Sequence, residues 1–240
     1  MTAALYPADF YQDRRRHTAH AATRVLAALP LGLPRASLAD IGCGTGTWLA
    51  AGLAMGAQSA WGLEGAWVTP AMLDDPRIAF IPHDLEQAFA GPRVDLAMSL
   101  EVAEHLSPAR ADGFVADLVA LAPAVLFSAA IPGQGGVGHL NEQWQSWWAG
   151  LFARHGYTAH DVIRPAIWAD DGVPAWYRQN TIVYLDAASR AALGLVPTDP
   201  ALLDTVHPAF WSRANRELAY ANALPESEVL RRQAEAAQQQ

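Results

Sequence analysis

The segment from Leu38 to Trp48 (LADIGCGTGTW) constrains this chain more than any other. An apolar run ends in Asp40 and breaks into Gly42, Gly44 and Gly46. A second apolar run begins at Trp48. The pattern predicts a buried strand, a tight turn and the start of a helix. Glycine suits a backbone that must turn sharply and approach a ligand with no Cβ in the way. The free N–H groups of the helix start suit a polar ligand.

The glycine spacing discriminates between ligands. A dinucleotide turn, G-x-G-x-x-G, would need glycine where Thr47 stands. Here an acid precedes a G-x-G-x-G turn, which resembles motif I of the class I S-adenosylmethionine (SAM)-dependent methyltransferases. Three later segments match the family in order. Trp61 to Trp67 (WGLEGAW) reads as a second strand ending in Glu64, placed to accept hydrogen bonds from ribose hydroxyls. Ile78 to Leu85 carries a strand toward Asp84, which in the family meets the adenine amino group, while Leu85 covers the ring. Val94 to Leu106 (VDLAMSLEVAEHL) resembles the fourth strand and its turn, with Ser99, Leu100 and Glu101 at the strand's carboxyl end. The resemblance implies a cofactor site of Tyr11, Asp40, Gly42, Cys43, Gly44, Thr45, Gly46, Trp48, Glu64, Gly65, Asp84, Leu85, Ser99, Leu100 and Glu101. It is closest to small-molecule, quinone and glycan methyltransferases with a Glu-x-x-Glu-His turn.

The implied fold is α/β: a Rossmann-like, seven-stranded, mostly parallel sheet with one antiparallel edge strand and helical additions at both ends. Residues 1–36 are expected to be a helical lead-in, 37–186 the SAM-binding core, and 187–240 a helical extension with a disordered tail. Phe10 and Tyr11 could cover the cofactor, and Arg14 to Arg16 could face an anionic substrate; a solvated helix face with a core aromatic explains them equally well. Ser107 is expected to cap a helix, and Asn141 the next one, ending near His155 with Gly156 as its stop. Residues 158–164 and 181–186 read as the last strands. The C-terminal extension is expected to cap the pocket, form a homodimer contact or shield the sheet edge.

Composition narrows the chemistry. The 240 residues include no lysine, which excludes Schiff-base chemistry and a Walker lysine. A net charge of −8 disfavours nucleic acid as a partner, since phosphate neutralisation supplies most of that affinity. No apolar run approaches a membrane span, and the first ten residues lack a signal-peptide pattern. With Cys43 the sole cysteine, a cytoplasmic enzyme is expected.

SAM carries its own electrophilic methyl group, so alignment and water exclusion are the protein's main tasks. An oxygen acceptor also needs a base or a metal. His105 and His139 are the candidate bases. If Glu101 begins a helix, it shares a face with Glu104 and His105, and with His139 the set could hold a divalent metal; the metal-free reading is preferred. The glycine-rich loop from Ile131 to His139 reads as a substrate lid, mobile or closely packed. Trp144, Trp168, Tyr177 and Arg178 are the candidate substrate wall. The leading expectation is methyl transfer to an oxygen of a small molecule or glycan. The alternatives are a metal-dependent RNA 2′-O-methyltransferase and a noncatalytic SAM-binding partner protein.

Overall fold

The computed structural model describes residues 8–212, with side chains from residue 18 onward. Helix α1 (Ala8–Ala27) leads into β1 (Ser37–Ile41), α2 (Thr47–Ala54), β2 (Ser59–Glu64), β3 (Ala79–Pro82) and β4 (Leu96–Leu100). Then come α3 (Ala111–Leu121), β5 (Ala124–Ser128), α4 (Gln145–Arg154), β6 (Thr158–His160), α5 (Arg164–Ile167), α6 (Ala175–Asn180), β7 (Ile182–Leu185) and α7 (Ala187–Leu193). The seven strands form one sheet in the order β3-β2-β1-β4-β5-β7-β6. Strands β1 to β5 are parallel to one another, and β7 runs antiparallel to both β5 and β6. The reversed strand therefore lies one place in from the edge, and the edge is an antiparallel pair.

The period of two along each strand builds two cores. Ala39, Ile41, Ala97, Val125, Phe127, Ile182 and Tyr184 face one, under α3 and α4. Leu38, Leu96, Met98, Leu126, Val183 and Leu185 face the other, under α1, α2, α5 and α6. Central strands covered on both faces need apolar residues at successive positions, which is why the motif strands read as continuous apolar runs.

Several boundaries differ from the sequence reading. Ser107 does not cap a helix with its side chain; its amide and hydroxyl both donate to the Glu86 carboxylate. Asn141 lies ahead of α4, whose N-cap is Trp144. Gly156 does follow α4, at φ 81°. The expected strand from 158 stops at His160, and the segment before β7 folds into α5 and α6 rather than an open loop. On α4, Trp148, Leu151 and Phe152 are buried as the stripe requires, but Trp144 and Trp147 are 38% and 39% exposed.

The chain up to Thr205 packs as one unit, and Val206 begins a second. In the second, a helix starts at 208, and the remainder of the helix and tail expected there lies outside the described residues. No helix among the described residues is long and apolar enough to cross a membrane.

Candidate cofactor and acceptor site

The strand order reverses between β1 and β4, so their carboxyl ends diverge into a crevice, the usual ligand position in an open α/β sheet. The glycine turn leaves β1 there. Gly42, Gly44 and Gly46 have φ of 83°, 52° and 78°, the left-handed region that disfavours a side chain. Gly42 also has no room for a Cβ, because Val102 of the turn after β4 packs against it. Gly44 differs: a Cβ there would meet nothing within 4 Å. Its backbone faces open space, as close approach to a ligand demands.

Two acids flank the turn. Glu64, at the end of β2, accepts from the Gly44 amide at 2.9 Å and from the Gly65 amide at 2.9 Å. Burial pushes its carboxyl above the ordinary range, and those two amides pull it partly back. Asp40 is only 2% exposed, and its Oδ2 has no hydrogen-bond partner. Burial first, then the charge of Glu64, push its carboxyl up to about 8. A buried carboxylate oxygen without a donor is costly unless something else supplies the bond.

Not every residue implied by the resemblance faces the crevice. Ser99 is fully buried and donates to the Ile41 carbonyl at 3.0 Å, so it ties β4 to β1. Trp48 is 5% exposed and meets Tyr177 edge-on at 5.1 Å, within the core. Cys43 is buried beneath Gly62, and burial pushes its thiol far up. Thr45 is buried too, with its hydroxyl 3.4 Å from Asp74. Leu100 is buried. Asp84 is exposed, accepting from the Glu86 amide, and Leu85 is half-buried against the core. Tyr11 lies in α1, but its side chain is outside those described, as are those of Arg14 to Arg16.

Trp67 was not singled out from sequence. Its ring lies over Gly65, directly after Glu64, and is 47% exposed. The signal was present in the spacing: a large aromatic three residues after the strand-end acid.

At the carboxyl ends of β4 and β5 a second group assembles. Glu101 adopts φ 57°, the sole positive φ outside glycine among the described residues. Such strain persists where the surroundings impose it, and it concentrates at functional positions. The Glu101 amide donates to the Ser128 carbonyl, and its carboxylate accepts from Gln134 Nε2 at 2.9 Å and Asn180 Nδ2 at 3.1 Å. Behind these stand further amides: Asn180 also donates to Gln134 at 2.8 Å, and Gln179 Nε2 to Asn180 at 3.0 Å. Burial pushes the Glu101 carboxyl up; Asn180, Gln134, Ser128 and nearby His139 pull it partly back.

Only residues 103–105 form a single 3-10 turn after Glu101, so Glu101 does not share a helix face with Glu104 and His105 as expected. Glu104 is 1% exposed, with Oε2 unpartnered. Burial, then the Glu101 charge, push its carboxyl well up. Ligand atoms of Glu104, His105 and His139 lie within 4.8 Å of one another, and Glu101 is not in that group.

The histidines are oriented. His105 Nδ1 sits 3.2 Å from the Gly138 carbonyl, which can only accept, so Nδ1 carries the proton. His139 Nδ1 lies 2.8 Å from Glu142 Oε1, and the two imidazoles meet edge-to-face at 4.8 Å. Glu142 also accepts from the Gly133 and Gly135 amides at 2.8 and 3.0 Å, so the largely exposed glycine-rich loop is anchored on this carboxylate.

Two of the four residues expected to form the substrate wall are buried. Tyr177 is 7% exposed against Trp48. Arg178 is buried, donating to the Trp168 carbonyl and to Asp171. Trp168 is half-buried, and Trp144 retains the exposed surface a substrate could use. A cavity of about 260 Å³ lies at the other end of the sheet, among Leu38, Leu96, Gly52 and Arg35, away from all this chemistry.

No family model matches the sequence, and no curated protein matches it. Solved structures do. An O-methyltransferase family protein from Burkholderia thailandensis aligns with a TM-score of 0.54 at 15% identity, over 74% of this chain and 59% of its own. This chain thus spans less than two thirds of that protein's length. Magnesium protoporphyrin IX methyltransferase from Synechocystis, solved with bound S-adenosylhomocysteine (SAH), aligns at 0.54 and 16% identity over 76% of this chain and 89% of its own. The amino pentose methyltransferase CalS10 from Micromonospora echinaspora, solved with SAM, gives 0.51 and 18% over 78% of this chain and 100% of its own. The chain has the Rossmann-like α/β fold of the SAM-dependent methyltransferases.

Proposed function

We propose that the chain is a SAM-dependent methyltransferase acting on a small molecule or glycan, with an oxygen as the receiving atom. The observation that carries this reading is the crevice itself. Open backbone at Gly44, an unpartnered buried oxygen on Asp40 and a strand-end acid at Glu64 stand together at the switch point of a methyltransferase fold. Those residues fit SAM: a cationic, hydroxyl-bearing ligand would satisfy Asp40 and reach the remaining lone pairs of Glu64. When bound, SAM supplies the electrophilic methyl group. The chain's part is to exclude water, hold the acceptor in line and take its proton.

His139 is the better-supported base. The Glu142 carboxylate holds its Nδ1–H, which leaves Nε2 as the basic atom, and carboxylate-oriented imidazoles work this way in unrelated enzymes. His105 is oriented the same way by a carbonyl. A second reading rests on the proximity of Glu104, His105 and His139: a divalent cation held there could lower the acceptor's pKa instead. RNA fits less well. Six of the described arginines are closed on aspartates, leaving them unsuited to a phosphate track.

The test is methyl labelling of a fractionated cell extract with SAM carrying a labelled methyl, with and without EDTA, using the Gly44→Val chain as control. Label in small-molecule or glycan fractions that survives EDTA and is lost in Gly44→Val supports the metal-free reading. Label lost with EDTA and restored by Mg²⁺ or Mn²⁺ supports the metal. No SAM binding by the unaltered chain would overturn the whole reading.

A further inference from the structure

Charge is distributed unevenly in this molecule. Arg24, Arg77, Arg110, Arg154, Arg164 and Arg178 each pair with an aspartate. No described arginine pairs with a glutamate. The Glu101 carboxylate accepts from the neutral amides of Gln134 and Asn180, and His139 lies near enough to draw its carboxyl down as well. Glu104, beside it, is 1% exposed and has an oxygen with no partner. The two nearby imidazoles are held at Nδ1, His139 by Glu142 and His105 by the Gly138 carbonyl, while a nitrogen of each stays within 4.8 Å of a Glu104 oxygen. A second buried polar atom, Asn141 Nδ2, also lacks a partner, and the Asn141 amide donates to the Glu104 carbonyl at 3.0 Å. Interior carboxylates normally have a paired charge. Here the fold supplies neutral donors to aim Glu101, strains its backbone, and leaves the buried Glu104 Oε2 without a donor.

We propose that the missing donor arrives with the acceptor: the substrate carries a protonated amine that seats against Glu101 and Glu104. This rests on the methyltransferase reading and narrows its substrate class. The amine is a recognition group, whichever atom of the acceptor receives the methyl. Its neighbourhood suits an organic cation. The Leu140 amide donates to the same Glu104 carbonyl, and the Leu140 side chain is 61% exposed. Trp144, a few residues on, offers an aromatic face, and cations with an apolar body favour such surfaces.

The experiment compares amines with their hydroxyl counterparts on the full chain loaded with SAH. Calorimetric titration uses tyramine against tyrosol and glucosamine against glucose. In at least one pair the amine should bind about tenfold more tightly, the size of one modest charge-assisted contact. Glu104→Gln, nearly isosteric, should cancel that preference while its melting temperature shows a folded protein; Glu101→Gln gives a second, independent removal of charge. Equal affinities, no binding by any probe, or a preference that survives both substitutions would overturn the proposal. So would a melting temperature raised by Mg²⁺ or Mn²⁺ with no amine preference, which would give the cluster to a metal. SAH binding is measured first on the same sample: its failure sinks the methyltransferase reading, whereas SAH binding without amine preference sinks only this inference.

Discussion

Asp40 and Glu64 are neighbouring acids held in different ways. Each Glu64 oxygen takes a backbone amide, whereas Asp40 Oδ2 takes nothing. The result is an aspartate pushed up to about 8, by burial first and Glu64 second. A carboxyl raised in the fold binds its proton more tightly there than in the unfolded chain. Its stabilising contribution is therefore complete below the ordinary aspartate range, and is lost as pH rises through about 8. Asp40→Asn removes the titration. We expect the ligand-free protein's melting temperature to fall between about pH 5 and 9, and the fall to be shallower in Asp40→Asn. Parallel curves for the two proteins would reject this account of Asp40. The residues of the glycine turn were legible in the sequence because a local backbone requirement selects them. The burial of Ser99 and Trp48 was not legible, for the opposite reason. Whether a strand-end or helix-start side chain faces the crevice or the core depends on register, which no local pattern states.

Among the elements, the loop between β5 and α4 departs furthest from its sequence signal. Its glycines left mobile and closely packed as equal options; the loop is largely exposed yet tethered to Glu142. One carboxylate receives the Gly133 and Gly135 amides and the His139 imidazole, so a glycine-rich stretch is gathered onto a single side chain. Partial burial raises the Glu142 pKa, but these hydrogen bonds outweigh it and leave the group below the ordinary glutamate range. The sign follows: the stabilisation is present above that range and is lost as pH falls through the lowered value. Glu142→Gln keeps the shape and removes the charge. Hydrogen bonds to a charged group contribute about 1.5–3 kcal/mol each. Amide exchange at Gly133 and Gly135 should accelerate by tenfold or more relative to the strands, and unchanged protection there would show that other contacts hold the loop. The amides around Glu101 were also missed. Gln134, Gln179 and Asn180 come from segments separated by 45 residues between the first and second of them, and only the sheet brings them together.

For the molecule as a whole, the sheet separates function from support. The crevice sits where β1 and β4 part, while an aromatic cluster lies toward the β5–β7 side. There Phe152 of α4 stacks on Tyr184 at 3.8 Å, and Phe127 meets Trp148, Phe152 and Tyr184 at 5.1, 5.4 and 6.1 Å. The sequence showed α4 as an apolar stripe because helical spacing reports burial directly. It could not show that the stripe docks on a reversed strand, since strand order is a long-range property. This cluster anchors α4 and β7, and so fixes the frame from which the Glu101 amides project. Phe152→Ala removes a fully buried ring from it. The cost should be about 3–5 kcal/mol, which lowers the melting temperature by roughly 6–20 °C for a chain of this size. Cys43 of the glycine turn and Phe152 pack in different cores, so SAM affinity measured well below the melting transition should stay within about twofold, as expected for separated sites. Acceptor turnover should fall more than SAM affinity, because α4 and β7 support the side of the sheet proposed for the acceptor. Equal losses on both sides would mean that the two ends of the sheet are mechanically coupled, and that the division between support and site drawn from the packing is wrong.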